Sequence, residues 1–145
     1  MRLAIVSGYF NPAHLGHLNM FKEARMMVDG LIIIVNNDKQ QVLKKGKVIM
    51  DEKERVELIK ACKYADYVYL SVDDNETICN SLEYIAMTHP EDTLIFCNGG
   101  NDRTNINQIP ETKTCEENNI RMIFGVGGIH KENSSSKINK LRGEE

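Results

Sequence analysis

No apolar run in this chain is longer than Leu31–Val35, which is far too short to cross a bilayer. Positive charge is not in excess either. The formal net charge is -3, which excludes a general electrostatic attraction to DNA or to anionic membranes. Neither a nucleic acid nor a membrane is therefore expected as a partner, and any anionic ligand must be held by a local cluster of donors. The four cysteines, Cys62, Cys79, Cys97 and Cys115, form no C-x-x-C pair, so a zinc or redox site has no support. Free thiols in a reducing cytoplasm are the simpler expectation. There is no internal repeat, low-complexity tract or linker. What is present is 145 residues, of which 41% are hydrophobic, enough for one domain with one buried core. The opening MRLAIVSGYF has no cleavage-site pattern and runs directly into a glycine turn, so it reads as a core strand.

Apolar runs alternate with helical patterns along the whole chain. Leu3–Val6 reads as a strand. His17–Val28 reads as a helix, with Leu18, Phe21, Ala24 and Met27 or Val28 at helical spacing. Gly30 ends it, and Leu31–Val35 reads as a strand covered on both faces. Residues 36–50 have no clean period and read as a mobile loop. Asp51 with Glu54 resembles a capping box opening a helix to about Cys62. Strands are expected at Tyr67–Val72, Thr93–Cys97 and Arg121–Phe124. Helices are expected at Thr77–Met87, from Pro110 to about Asn118, and at Ser134–Arg142. This alternation predicts an α/β fold, a doubly wound parallel five-stranded sheet of Rossmann-like type with helices on both faces. With strand order 3-2-1-4-5, the loops after the first and fourth strands flank the crevice where ligands bind in such sheets.

Those loops are GYFNPAHLGH, residues 8–17, and NGGNDR, residues 98–103. In the first, Gly8 and Gly16 permit a sharp turn and close approach of backbone to a ligand, and Pro12 stiffens the segment. The helix that follows aims unpaired N–H groups and its positive dipole end at the crevice, which suits a phosphate. His14 and His17 add side-chain donors at the same place. Transfer at phosphorus is catalysed mostly by positioning and charge stabilisation, which this arrangement supplies. The spacing is not H-E-x-x-H and no third ligand is evident, so a protein-bound metal is not expected.

GYFNPAHLGH resembles the G-x-F-D-P-x-H-x-G-H signature of the cytidylyltransferase-like nucleotidyltransferases, with Asn11 where Asp is commoner. That superfamily includes glycerol-3-phosphate cytidylyltransferase and the heptose-phosphate adenylyltransferases. The resemblance implies transfer of a nucleotidyl group, CMP from CTP or AMP from ATP, to a small phosphorylated acceptor, with release of pyrophosphate. It implies Mg²⁺ accompanying the triphosphate, and a homodimer. It gives His14, His17 and Lys44 catalytic roles, and nucleotide contacts to Gly8, Tyr9, Phe10 and Gly16. The glycine loop adds Gly99, Gly100 and Asp102 (or Asn101), unless it is an ordinary turn. NSSSKI resembles the motif at the start of the family's last helix, which brings in Ser134, Ser135 and Ser136, unless they only cap that helix. His130 or Lys131 would supply the basic residue that precedes the motif, and Lys137 or Lys140 a charge after it. Lys44 and Lys47 compete for one phosphate contact. Arg55 corresponds to an acceptor-phosphate arginine, or else it is a surface arginine pairing with Glu52 or Asp51.

Overall fold

The computed structural model describes residues 1–11, 13–98 and 110–124. Their centre is a parallel sheet of β1 (Arg2–Gly8), β2 (Gly30–Val35), β3 (Tyr67–Leu70), β4 (Thr93–Asn98) and β5 (Arg121–Phe124). The order is β3-β2-β1-β4-β5, the order expected. Register runs Leu3 opposite Gly30 to Gly8 opposite Val35 on one side of β1, and Arg2 opposite Thr93 to Ile5 opposite Phe96 on the other.

Side chains alternate along a strand, so β1 and β2 supply two cores. Ala4, Val6, Leu31, Ile33 and Val35 meet Phe21 and Ala24 of α1 (Leu15–Met26) and Ile59 of α3 (Glu52–Lys60). Leu3, Ile5, Ile32 and Ile34 meet Leu82 and Ile85 of α4 (Cys79–Thr88) and Cys115 of α5 (Glu111–Glu117). Every residue of β2 is buried, which is why its sequence is a continuous apolar run and not an alternation.

The expected mobile loop at 36–50 contains a helix instead, α2 (Asp38–Lys45). Asn37 caps it by accepting from the Gln40 N–H, while the Gln40 side chain accepts from the Asn37 N–H. Gly46, at φ +78°, closes its other end in the left-handed conformation. The Asn37 Nδ2 also donates to the carbonyls of Ser71 and Asp73, and the Gln40 Nε2 to those of Asn75 and Thr77. α2 is therefore sewn across the carboxyl ends of β2 and β3.

Smaller corrections have local causes. α1 begins at Leu15 because His14 is its cap. β3 stops at Leu70, where Ser71 and Asp73 turn inward. α4 starts at Cys79, and the buried Asp73 carboxylate takes the N–H groups of Asn80 and Ser81 in place of an adjacent cap. The expected helix at Ser134–Arg142 lies outside the described residues.

Candidate active site

The direction of chain crossover reverses between β1 and β4, so the ligand crevice of this sheet type opens beyond their carboxyl ends. The turn leaving β1 there is built on a strained residue. Phe10 has φ +51°, a left-handed conformation rare for a bulky side chain, which costs about 1–3 kcal/mol. Its ring is buried, edge-on to His17 with centroids 4.9 Å apart and to Phe21 at 5.5 Å. A Cβ on Gly8 would come within 2.7 Å of the Phe10 Cζ. Gly8 is thus needed to admit the ring, and the sharp turn falls on Phe10. The consequence is a fixed aromatic support under His17.

His14 and His17 rebuild a capping box out of imidazoles. The His14 Nδ1 accepts from the Gly16 N–H at 3.1 Å, and the His17 Nδ1 accepts from the His14 N–H at 3.0 Å. An Nδ1 that accepts carries no proton, so in both neutral rings the hydrogen is on Nε2. The rings stack with centroids 3.8 Å apart and planes at 27°. No acidic residue lies in the first turn of α1, so its positive end is not neutralised. Two oriented N–H donors and a helix N-terminus suit an anion whose charge rises during reaction.

Burial, and secondarily the neighbouring His14, push the His17 pKa down to about 3. Below the ordinary 6.5, the unfolded chain binds a proton at this residue that the folded chain does not. The stabilisation is complete above 6.5 and is lost as pH falls toward about 3. Denaturant titrations at pH 7 and 5.5 should show wild type losing roughly 1 kcal/mol more than His17→Gln. Glutamine can keep the reach-back bond of the cap but does not titrate.

The Lys44 Nζ stands 4.6 Å from the centre of the Tyr9 ring, so α2 delivers this lysine to the turn after β1. Lys47 is exposed just past the Gly46 cap. The Asn11 Oδ1 accepts from the Met50 N–H at 2.8 Å. A carboxylate there could make the same bond, so asparagine at this position costs the charge and keeps the contact.

Arg55 is not a surface arginine pairing with Glu52 or Asp51. It is 1% exposed, and its partner is Asp38, not Glu52 or Asp51. Its Nε donates to the Met50 carbonyl at 2.9 Å. One terminal nitrogen donates to the carbonyls of Tyr9 at 2.7 Å and Asn36 at 2.6 Å, and the other to the Asp38 carboxylate at 2.7 Å. Four hydrogen bonds from the guanidinium tie the turn after β1, the end of β2, the start of α2 and the segment before α3 together.

Gly16 is buried in the first turn of α1. Gly99, Gly100, Asp102, Lys131, Ser134, Ser135 and Ser136 lie outside the described residues. Asp38, Gln40 and Gln41 were missed as part of this neighbourhood. The Asn37–Gln40 capping pair with Gly46 beyond it is the signal that could have found their helix.

Residues 5–140 match the family model described as cytidylyltransferase-like. An ethanolamine-phosphate cytidylyltransferase of Dictyostelium discoideum is 33% identical over 96 residues, 65% of this chain and 27% of that protein. A FAD synthase of Thermococcus sibiricus is 33% identical over 88 residues, 60% of this chain and 57% of that protein. The chain thus spans less than two thirds of either relative. The crystal structure of the lipopolysaccharide core biosynthesis protein from Thermoplasma volcanium is 22% identical and superposes with a TM-score of 0.65. That superposition covers 86% of this chain and 94% of that one, and it bears on the fold alone. Among the described residues, no helix is long and apolar enough to cross a membrane.

Proposed function

From the premise that this chain belongs to the cytidylyltransferase-like family, we propose that it transfers CMP from CTP to a small phosphomonoester and releases pyrophosphate. The observation that carries the reading is the stacked His14–His17 pair, held through both Nδ1 atoms at the N-terminus of α1. An oxygen of the acceptor phosphate attacks the α-phosphorus, and the bond from that phosphorus to the bridging oxygen of the leaving pyrophosphate breaks. The acceptor phosphate is already largely ionised at neutral pH, its second pKa being about 6, so no strong general base is required. His14 and His17 donate to the oxygens on which charge builds, and Lys44 offsets the charge of the triphosphate.

Both imidazoles offer N–H donors and have their other nitrogen engaged, an arrangement that fits phosphate oxygens and not a metal ion. Mg²⁺ would therefore be held mainly by the triphosphate and water. Among the described residues no group of three or more His, Cys, Asp or Glu could hold a metal. The likeness to a FAD synthase makes ATP the second donor to test. A cytoplasmic homodimer belongs to the same proposal.

The test is pyrophosphate release with each of the four nucleoside triphosphates, each tried against a panel of small phosphomonoesters. Release with CTP and one acceptor class is expected. Release with ATP alone would move the reading to adenylyl transfer, and no release with any pair would leave a nucleotide-binding module.

A further inference from the structure

On sequence, Lys44 and Lys47 compete for one phosphate contact, and the fold treats them differently. The Lys44 ammonium lies over the Tyr9 ring, 4.6 Å from its centre, whereas Lys47 is exposed beyond the Gly46 cap. Both sides of the Lys44–Tyr9 contact are held by backbone ties. The Gly8 carbonyl accepts from the Asn36 N–H at 2.9 Å, the Tyr9 carbonyl from Arg55 at 2.7 Å, and the Asn11 Oδ1 from the Met50 N–H at 2.8 Å. The turn is thus fixed before, at and after Tyr9. Across the contact, Asn37 and Gln40 fasten α2 to the carbonyls of Ser71, Asp73, Asn75 and Thr77. Lys63 also lies over a ring, that of Tyr64 at 5.2 Å, but those two are chain neighbours and bring no separate elements together. Lys44 is exposed and Tyr9 half-buried, so a ligand can reach the ammonium where it stands. The ring face attracts the ammonium from one side, which leaves N–H donors on the other for phosphate oxygens. A lysine stem also gives up rotamer freedom when a ligand immobilises it, and a contact that already restricts the stem lowers that cost.

We propose that Tyr9 is a positioning residue that acts on the triphosphate through Lys44. Its ring holds the ammonium ready for phosphate oxygens, and so makes Lys44, not Lys47, the lysine of that contact. The side chain of Tyr9 then serves the ligand without touching the nucleotide. This rests on the nucleotidyl-transfer reading for the identity of the polyphosphate.

The experiment is calorimetric titration with CTP, ATP and inorganic tripolyphosphate, each with Mg²⁺. Tyr9→Leu is expected to bind tripolyphosphate about twofold to fivefold more weakly than wild type, the size of an exposed cation–π contact. Tyr9→Phe keeps the ring face and should recover most of that loss. In a Lys44→Gln background Tyr9→Leu should cost nothing further. In a Lys45→Gln background, which removes the same charge one residue on, it should cost as much as in wild type. A merely structural role for Tyr9 would show the same loss in both backgrounds, and that result overturns the assignment. So does a Tyr9→Leu protein that binds like wild type, a Tyr9→Phe protein no better than Tyr9→Leu, or a wild type that binds none of the three probes. Should Tyr9→Leu fail to fold, Lys44→Gln against Lys47→Gln decides: Lys44→Gln must lose more affinity, and equal or reversed losses overturn the assignment. Pyrophosphate release measured on the same preparations keeps the two readings apart. Coupling between Tyr9 and Lys44 without turnover leaves the role of the ring standing and removes nucleotidyl transfer. Turnover without coupling does the reverse.

Discussion

Replacing His17 with alanine is expected to lower kcat by about 10²–10³ while weakening triphosphate binding less than about tenfold. The asymmetry follows from where charge changes. In the proposed complex the α-phosphate oxygens would already have donors from the helix end. As the acceptor oxygen adds and pyrophosphate departs, negative charge grows on oxygens that a fixed Nε2–H can meet, and an interaction made mainly in the transition state appears in kcat. The ring is well placed for this because its Nδ1 is held by the His14 N–H and its edge rests on Phe10. It has little freedom to lose when charge develops. With the pKa at about 3, the His17 ring is neutral throughout the working range. The kcat/KM profile, which reports the free enzyme, should therefore show no inflection from His17 between pH 5 and 8. Removing the ring also removes half of a capping box, worth about 1 kcal/mol of stability. His17→Gln is the control that can retain the cap. Steady-state kinetics beside equilibrium nucleotide binding decide the matter, and turnover that survives nearly intact in His17→Ala would remove the residue from the mechanism.

The elements that sequence reading located well were those whose signal is carried by apolar side chains. Leu31–Val35 is buried throughout and showed it by lacking polar residues. The alternation of such runs with helical stripes led to a parallel sheet, because parallel neighbours must be joined by crossovers. Residues 8–17 were legible for a different reason: glycines and histidines at fixed spacing between a strand and a helix leave few structural alternatives. α2 was missed because its pattern is inverted. Its buried residues are Gln40 and Gln41, while Val42 and Leu43 are 51% and 55% exposed. A search for an apolar stripe reads that as noise, although the polar cap at Asn37 and the terminating Gly46 were both visible. The partners of Arg55 were hidden for a related reason. Its carboxylate partner lies 17 residues away, and its other partners are backbone carbonyls, which no side-chain pattern reports.

Arg55→Ala is expected to destabilise the protein by about 3–5 kcal/mol, the cost of removing one partner from a buried charge pair. Against a total of about 5–15 kcal/mol for a domain, that would bring the chain close to unfolding. The guanidinium side chain is 0% exposed and Asp38 is 35% exposed, so the carboxylate can turn partly to water once its partner is gone. The carbonyls of Tyr9, Asn36 and Met50 are the harder loss, because they come from three separate segments and share one donor group. Lysine should not rescue them. Its ammonium is a compact charge without the planar fork that reaches four acceptors from one place. An arginine that only contacted the acceptor phosphate would behave in the opposite way: Arg55→Ala would unfold at the wild-type denaturant midpoint and lose acceptor affinity, and Arg55→Lys would recover part of it. Urea unfolding of both variants, with acceptor titrations on whichever remains folded, separates the two. The Asp38→Asn variant completes a double-mutant cycle that isolates the ion pair from the carbonyl bonds. If the cycle returns a small coupling while Arg55→Ala remains severe, most of the stabilisation lies in the backbone ties that hold Tyr9 beneath Lys44. The arginine then acts on the reaction through the shape of the turn that presents His14 and His17.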